Sequence, residues 1–301
     1  MIRLHCQRAQ GAARCLVPFL ALLLLAPSFA LAQGAGGASA IPRVSISFAP
    51  DTTFSVRLRA REDSTVVWLD YGAGAKEELL IWDSYSDVVR PLKGGTLSIY
   101  GGVAGLDCSP SGGAIRALEV SGCPSLEELN VEGCLLASLD LTGNRELEVL
   151  DCGANRLTAL DLGPCPVLRR LDCHGNSLAV LVVSGCDSLR YLDCSKNVLR
   201  NIDLSRNPAL EELYCQDNQL GILELRTNWQ LRQLSCFGNN LSPLAIEGLL
   251  RALRIVPAGQ QGVAYLEAIP ADSMTHSLRM ALELAQRKRW RIGYGGAASC
   301  D

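Results

Sequence analysis

From residue 97 to residue 244 the apolar positions of the chain recur every 21 residues. Leu129, Leu150, Leu171, Leu192, Leu213 and Leu234 form one column, and Leu126, Leu147, Leu168, Leu189, Leu210 and Leu231 form a second. A third column runs Val131, Cys152, Cys173, Cys194, Cys215, Cys236, and a fourth runs Cys134, Asn155, Asn176, Asn197, Asn218, Asn239. Each unit therefore spells LxxLxCxxNxL, and its second half repeats the idea as LxxLDLxxN. There the column Leu97, Leu118, Leu139, Leu160, Leu181, Ile202, Leu223 is followed two residues later by Ile99, Val120, Leu141, Leu162, Val183, Leu204, Leu225. A fixed period of this length marks a stack of supersecondary units, none of which can bury its apolar face without neighbours. Leu-x-Cys and Leu-Asp-Leu each alternate as a short strand does, which predicts a flattened coil with two parallel sheets on opposite sides.

These motifs resemble the leucine-rich repeat family, and the nested half-repeat is similar to the short-period class of secreted bacterial proteins related to the internalins. The resemblance spans roughly residues 97 to 244. It implies a repeat solenoid with parallel β-sheets that serves as a binding scaffold, with partners that differ from member to member. One irregularity comes early. Leu106-Asp107-Cys108 stands two residues ahead of its column, which predicts a small insertion over 109–113.

Both ends of the repeat need caps, because a bare terminal turn exposes an apolar end and an unpaired strand edge. After a flexible start at 33–41, the runs VSISF, FSVRLRA and TVVWLDYG alternate as strands and predict a β-rich N-terminal cap over 33–95. WLDYGAG is loosely similar to the N-terminal modules that accompany such repeats. The solenoid is assigned to 96–241, with TLSIY leading into it. At the far end Ser242-Pro243 announces a helix, and Ile246, Leu249, Leu250, Leu253 and Ile255 follow helical spacing. Ile246 also falls in the strand column, a conflict resolved here for helix. VAYLEAI then reads as a strand, 272–288 as a second helix with Met274, Leu278, Ala281, Leu282 and Ala285 inward, and Trp290-Arg291-Ile292 as a closing strand. This helix-strand-helix-strand tail, 242–301, resembles the C-terminal α/β cap of similar bacterial repeat proteins.

Residues 1–32 read as a cleaved signal peptide. Arg3, Arg8 and Arg14 precede an apolar run from Leu16 to Ala26, and Ala30-Leu31-Ala32 offers a small-x-small cleavage site. The run is about half of the ~20 residues a spanning helix requires. Neither Cys6 nor Cys15 follows it, so lipid attachment is not expected. The protein is expected to be secreted, periplasmic or held at the cell surface by non-covalent contacts, without membrane insertion. Its formal charge is −3, and removal of the three leader arginines leaves 25 bases against 31 acids, a net of −6. That argues against a nucleic-acid partner, which asks for a basic stripe. The one basic run, Arg287-Lys288-Arg289, reads as the favourable end of a helix.

Cysteine is abundant, and without Cys6 and Cys15 an odd number, eleven, remains. A column of cysteines along adjacent strands sits at ~4.8 Å spacing, wider than the ~3.8 Å between Cβ atoms that a relaxed disulfide needs. Reduced thiols acting as small hydrophobes are expected, with Cys300 the candidate free thiol. A line of thiols does not converge as a metal site must, so no metal or cofactor is expected. Inward asparagines are read as satisfying backbone groups at tight bends. Asp151, Asp172 and Asp193 on one side, and Asp140, Asp161, Asp203 and Glu224 on the other, are read as a solvated face. The positions beside the first strand vary most, and regular framing of irregular outward chemistry suits recognition. Arg170, Tyr191, Asp193, Glu212 and Tyr214, with Trp229 on the adjoining bend, are the candidate ligand-binding residues. No catalytic residue is assigned. His174 has no acid, serine or cysteine specified as a partner, and phosphate loops and HExxH pairs are missing. The reading is an exported, non-catalytic, monomeric binding module for a protein or surface glycan. The alternative is a structural or self-assembling envelope protein without a discrete ligand.

Overall fold

The computed structural model describes residues 41–295 apart from 51, 73 and 93, all within one compact unit, Ile41–Asp301. The signal segment, the start at 33–40 and Cys300 lie outside the described residues.

Six strands come first: β1 (Arg43–Phe48), β2 (Thr53–Arg59), β3 (Thr65–Asp70), β4 (Glu77–Ile81), β5 (Ser86–Pro91) and β6 (Thr96–Tyr100). The first three fall on the alternating runs. β4 and β5 were not legible because they are the outer edges of two sheets and each buries few side chains. The solenoid follows with β7 (Gly105–Asp107), β8 (Ile115–Glu119), β9 (Glu128–Asn130), β10 (Val149–Asp151), β11 (Ala159–Asp161), β12 (Arg170–Asp172), β13 (Val180–Val182), β14 (Tyr191–Asp193), β15 (Glu212–Tyr214) and β16 (Gln233–Ser235). The C-terminal cap contains α1 (Pro243–Ala252), β17 (Gly262–Leu266), α2 (His276–Arg287) and β18 (Trp290–Tyr294). Ile246 is buried in α1, whose first turn is capped by Ser242 Oγ accepting from Ala245 N–H at 3.2 Å. α2 starts later than its spacing suggested, because Ala271–Ser273 forms a 3-10 turn before Thr275 caps the helix.

One eleven-stranded sheet carries the first-half columns in the order β18-β17-β16-β15-β14-β12-β10-β9-β7-β2-β5. Its central strands pair in parallel, Leu129 with Leu150, Leu171 with Leu192 and Leu213 with Leu234 flanking the remaining steps. Leu106 pairs with Leu129, and the two extra residues are taken up in a 3-10 segment, Ser109–Ala114, where the insertion was expected.

The second-half columns depart from expectation in two ways. Leu97 and Leu118 are not neighbours: β1 is inserted antiparallel between β6 and β8, so both leucines flank Ile46. Leu97 therefore belongs to the cap sheet, ordered β4-β3-β6-β1-β8. The insertion buries Val44, Ile46 and Phe48, the apolar half of the first alternating run. Further along, only β11 and β13 pair as strands on this side. Every turn here is also joined to the last at the bend, where Arg156 N–H donates to Leu136 O, Ser177 to Leu157 and Val198 to Leu178.

The bends themselves depend on asparagine. Asn197 Oδ1 accepts from Leu178 N–H in the preceding turn at 2.9 Å, and Nδ2 donates to Cys173 O, Cys194 O and Ser195 O at 3.1 Å each. Asn155, Asn176, Asn218 and Asn239 repeat the pattern, so each staples its turn to the one before. Cys134 ends this column, its thiol facing Cys108 O at 3.8 Å. It needs no acceptor oxygen, because Ile115, which holds the Leu136 position one turn earlier, sends its N–H to Gly112 O. The second asparagine column is simpler. Asn144, Asn207 and Asn228 use only their Nδ2 groups, and the buried Oδ1 atoms have no donor. A thiol can replace a group that only donates, and Cys123 and Cys186 do so toward Val103 O and Leu162 O. All ten described cysteines are buried and reduced, as the column argument required.

Immediately before each position of the column Cys134, Asn155 to Asn239 the backbone is left-handed: Gly133, Ala154, Gly175, Lys196, Asp217 and Gly238 have φ between 51° and 65°. Half of these residues carry a Cβ, at about 1 to 2 kcal/mol of strain each. Two outcomes are expected in urea unfolding. Asn197→Ala strands an amide and several carbonyls and should cost about 2 to 4 kcal/mol. Lys196→Gly relieves the strained bend and should add about 0.5 to 1 kcal/mol.

Candidate functional site

On the three-residue strands β9, β10, β12, β14 and β15 of the large sheet the middle side chain is buried and the outer two reach solvent, the ordinary consequence of a period of two. Parallel pairing without slippage then aligns two outward rows. One runs Glu128, Val149, Arg170, Tyr191, Glu212, Gln233 and the other Asn130, Asp151, Asp172, Asp193, Tyr214, Ser235.

Five of the six candidate residues meet in the middle of these rows. The Arg170 guanidinium carbon lies 3.7 Å from the Tyr191 ring centroid, and the Tyr191 and Tyr214 rings are 5.5 Å apart at 44°. The Tyr214 hydroxyl donates to Glu212 Oε2 at 3.3 Å, while Asp193 is the cross-strand neighbour of Tyr214. Burial and then the Glu212 charge push the Tyr214 hydroxyl up to about 12, so it remains a donor at neutral pH. Stacked cation and rings contribute roughly 0.5 to 1 kcal/mol each at such a half-exposed place, and they hold the side chains in fixed rotamers. Trp229 stands elsewhere. It is on the bend before β16, its indole N–H donates to Arg226 O at 2.7 Å, and Arg254 lies 5.0 Å from its ring.

The acidic columns reach solvent as expected, Asp140, Asp161, Asp203 and Glu224 as exposed residues and Asp151, Asp172 and Asp193 in part, and the aspartates also bond to backbone. Asp151, Asp172 and Asp193 each accept through Oδ1 from the amide two residues on, Gly153, His174 and Ser195, at 3.1, 3.2 and 2.9 Å. On the opposite side Asp140, Asp161 and Asp203 do the same toward Thr142, Gly163 and Ser205. These are Asx turns that close each short strand. In five of these six turns the aspartate stands two residues before Gly, Ser or Thr, and that spacing was the signal available in the sequence. Partial burial, with Asp172 adding like charge, raises the Asp151 carboxyl above its ordinary range.

His174 also departs from expectation, because an acid does pair with it. The turn after β12 folds its ring back so that Nδ1 lies 2.7 Å from Asp172 Oδ1. Gly153, in the preceding turn, leaves the space that the ring occupies. Burial disfavours the imidazolium, but the Asp172 hydrogen bond and the charges of Asp172, Asp193 and Glu132 outweigh it and raise the His174 pKa.

At its N-terminal end the face is closed by the cap. Arg59 Nη2 donates to Glu127 at 3.1 Å and stands 3.3 Å from Glu128, and Tyr85 donates to Glu128 at 3.0 Å. Arg61 bridges Glu127 and Glu146, and Arg57 pairs with Asp107. Gly105 makes room for this network, since a side chain there would strike Arg59 and Tyr85. These charges are paired with one another, whereas Arg170, Tyr191 and Tyr214 present their guanidinium and rings outward. Burial raises the pKa of all ten described thiols, Cys165 to about 11 and Cys186 to about 12, so none supplies a thiolate near neutral pH.

The His174 shift carries a pH dependence. Because its folded pKa is raised, protonated His174 contributes its stability in full below about pH 6.5, and the contribution disappears as pH rises through the folded value. Wild type should therefore exceed His174→Ala in unfolding free energy by more at about pH 5 than at about pH 8.5, the difference staying below about 1 kcal/mol because the pair is partly exposed. An equal gap at both pH values, measured by urea titration, would remove the charged pair from the account.

No family model matches the chain, and no curated protein matches it. Among solved structures it is similar to a leucine-rich-repeat protein of Leptospira interrogans, at 24% identity, covering 51% of this chain and 41% of that one with a TM-score of 0.41. It is also similar to the functional domain of InlJ from Listeria monocytogenes, described as including a cysteine ladder, at 24% identity, 57% and 46% coverage and a TM-score of 0.32. YopM from Yersinia enterocolitica matches at 26% identity, 49% and 38% coverage and a TM-score of 0.29. The chain spans less than half the length of each of these structures. Its own 21-residue period, the parallel register that follows it and the stapling asparagines give the chain the fold of a leucine-rich-repeat solenoid.

Proposed function

We propose that this protein is an exported, non-catalytic binding module that recognises a protein or a surface glycan through the outer face of its large sheet. The observation that carries the reading is the stacked row Arg170-Tyr191-Tyr214, flanked by Asp193 and Glu212 and fixed by the parallel register. Tyr combines a large apolar area with a polar tip and few rotatable bonds, the Arg170 chain is held by stacking on its ring, and both are residue types enriched among those that dominate binding energy at interfaces. The mechanism is pre-organisation. The stack holds these side chains in place before the partner arrives, so association loses little conformational entropy. Two ring faces suit the apolar face of a sugar as well as a protein side chain, and the carboxylates of Asp193 and Glu212 supply acceptors beside them. The apolar leader at residues 16–26 supports export, and a secreted, periplasmic or surface location follows from it.

The test is binding of residues 33–301 to a panel of extracellular matrix proteins, cell-surface glycans and bacterial envelope components, beside Tyr191→Ala/Tyr214→Ala. Saturable binding should weaken about 30-fold or more in the double variant, the loss of two hot-spot side chains, with circular dichroism unchanged. Binding that survives the double substitution would move recognition off this face. Ordered self-association without any bound panel member would favour an assembly role instead.

A further inference from the structure

The C-terminal cap brings together cations that the sequence keeps apart. Where α1 ends, the loop after it and the end of α2 enclose a hollow of about 560 Å3 lined by Arg226, Arg251, Arg254 and Lys288. Lys288 donates to Arg251 O at 2.8 Å and Leu253 O at 2.7 Å, so the basic run at the end of α2 caps the carbonyl end of α1. Arg251 is held by Glu247 at 3.0 Å, and Arg226 by Glu224 at 3.3 Å in a pair exposed to solvent. Arg254 meets a carbonyl, Arg226 O, and the Trp229 ring. Two of the four cations thus face the hollow with no carboxylate bonded to them, on a chain whose net charge is −3. Burial, and then the Arg254 and Arg251 charges, lower the Lys288 pKa, as a concentrated positive field would.

The same region exposes its apolar side chains. Leu244 is 77% exposed, Ile255 74%, Ile222 65% and Trp229 63%, the four most exposed among the large hydrophobic side chains of the described residues. They are contiguous with the hollow. A groove of about 230 Å3 between Ile222 and Leu244 shares Arg226, Gly248 and Ala252 with it, and Ile255 lines both the hollow and the depression that contains Trp229. Apolar side chains scattered singly over a surface are ordinary, but four of this size around one basic hollow are not. A purely acidic protein partner would satisfy the cations and leave the apolar rim in water. The interfacial zone of a bilayer satisfies both: lipid phosphates meet the guanidinium forks while Trp, Leu and Ile enter the boundary with the acyl chains.

We propose that this end of the molecule docks on an anionic phospholipid surface, with lipid phosphates in the hollow between Arg226, Arg251, Arg254 and Lys288 and the four apolar side chains around it entering the interface. No helix of the described residues is long and apolar enough to cross a membrane. The contact is peripheral and salt-sensitive, and it leaves the outer face of the large sheet free.

Co-sedimentation with vesicles tests it, using residues 33–301, which contain the whole compact unit and lack the apolar leader. Vesicles of phosphatidylcholine with added phosphatidylglycerol should bind the protein at low salt, pure phosphatidylcholine should not, and added salt should release it. Arg226→Gln/Arg254→Gln and, separately, Leu244→Asp/Ile255→Asp should each weaken binding at least about tenfold. All four residues are exposed, so melting temperatures should stay close to wild type. Tyr191→Ala/Tyr214→Ala should keep vesicle binding, which separates this surface from the recognition face. Lack of phosphatidylglycerol-dependent binding would overturn the proposal, as would binding undiminished in both cap variants. Saturable binding of glycerol 1-phosphate without vesicle binding would overturn it in favour of a site for a free phosphate ester.

Discussion

A solenoid turn this short must bend sharply, and each bend strands backbone N–H and C=O groups where water cannot reach them. The buried asparagine amides answer those groups, and the rest of the architecture follows from that. An Asn side chain carries both donors and acceptor in one small plane, so it can serve its own bend and the bend of the preceding turn together. Where only a donor is required, as at Cys123 and Cys186, sulfur takes over. Where the acceptor is required as well, from Asn155 to Asn239, it does not. Repetition of the leucine columns supplies the apolar core, but the register of that core is set by polar bonds made between turns.

A stack of parallel strands has two open ends, and the chain closes each in a different way. At the start, two antiparallel strands enter the two sides separately: β2 beside β7, and β1 between β6 and β8. At the finish, β17 and β18 continue the large sheet in parallel, with α1 and α2 packed over the last turn. The N-terminal closure is sealed by ion pairs that satisfy one another. The C-terminal closure leaves two of its four cations without a carboxylate and several apolar side chains exposed. The difference in charge pairing, rather than in fold, is what separates a lid from a surface able to meet a partner.

Between these ends lies a face whose chemistry is largely free of the frame. The leucines, cysteines and asparagines point inward or into the bends, and the outward positions carry little structural duty beyond the Asx turns of the aspartates, the Asp172–His174 pair and the contacts of Glu128 with the cap. Arg170, Tyr191 and Tyr214 are held by one another and by register. Rigidity there is a property of the stack, shared by every turn.

How much of this was legible can be argued residue by residue. The period, the inward columns, the reduced thiols, the insertion after Cys108 and the helical reading of Ile246 all follow from sequence, because each depends on spacing along the chain and on side-chain size. Contact between Arg170, Tyr191 and Tyr214 was legible too, since residues 21 apart are direct neighbours in such a coil and residues 23 apart diagonal ones. Other features needed the folded molecule. Leu97 and Leu118 obey the period yet are parted by β1, because a strand from another part of the chain can outcompete the next turn for the same edge. The carboxylates of the acidic columns bend back to their own amides, and Asp172 reaches His174, because a turn reverses direction within two residues. Trp229 and Arg254, and Lys288 with Arg251, meet only across the cap. The sequence by itself determined what repeats. Tertiary structure decided what happens where repetition stops, since the ends of a stack are made by contacts between segments that no local period relates.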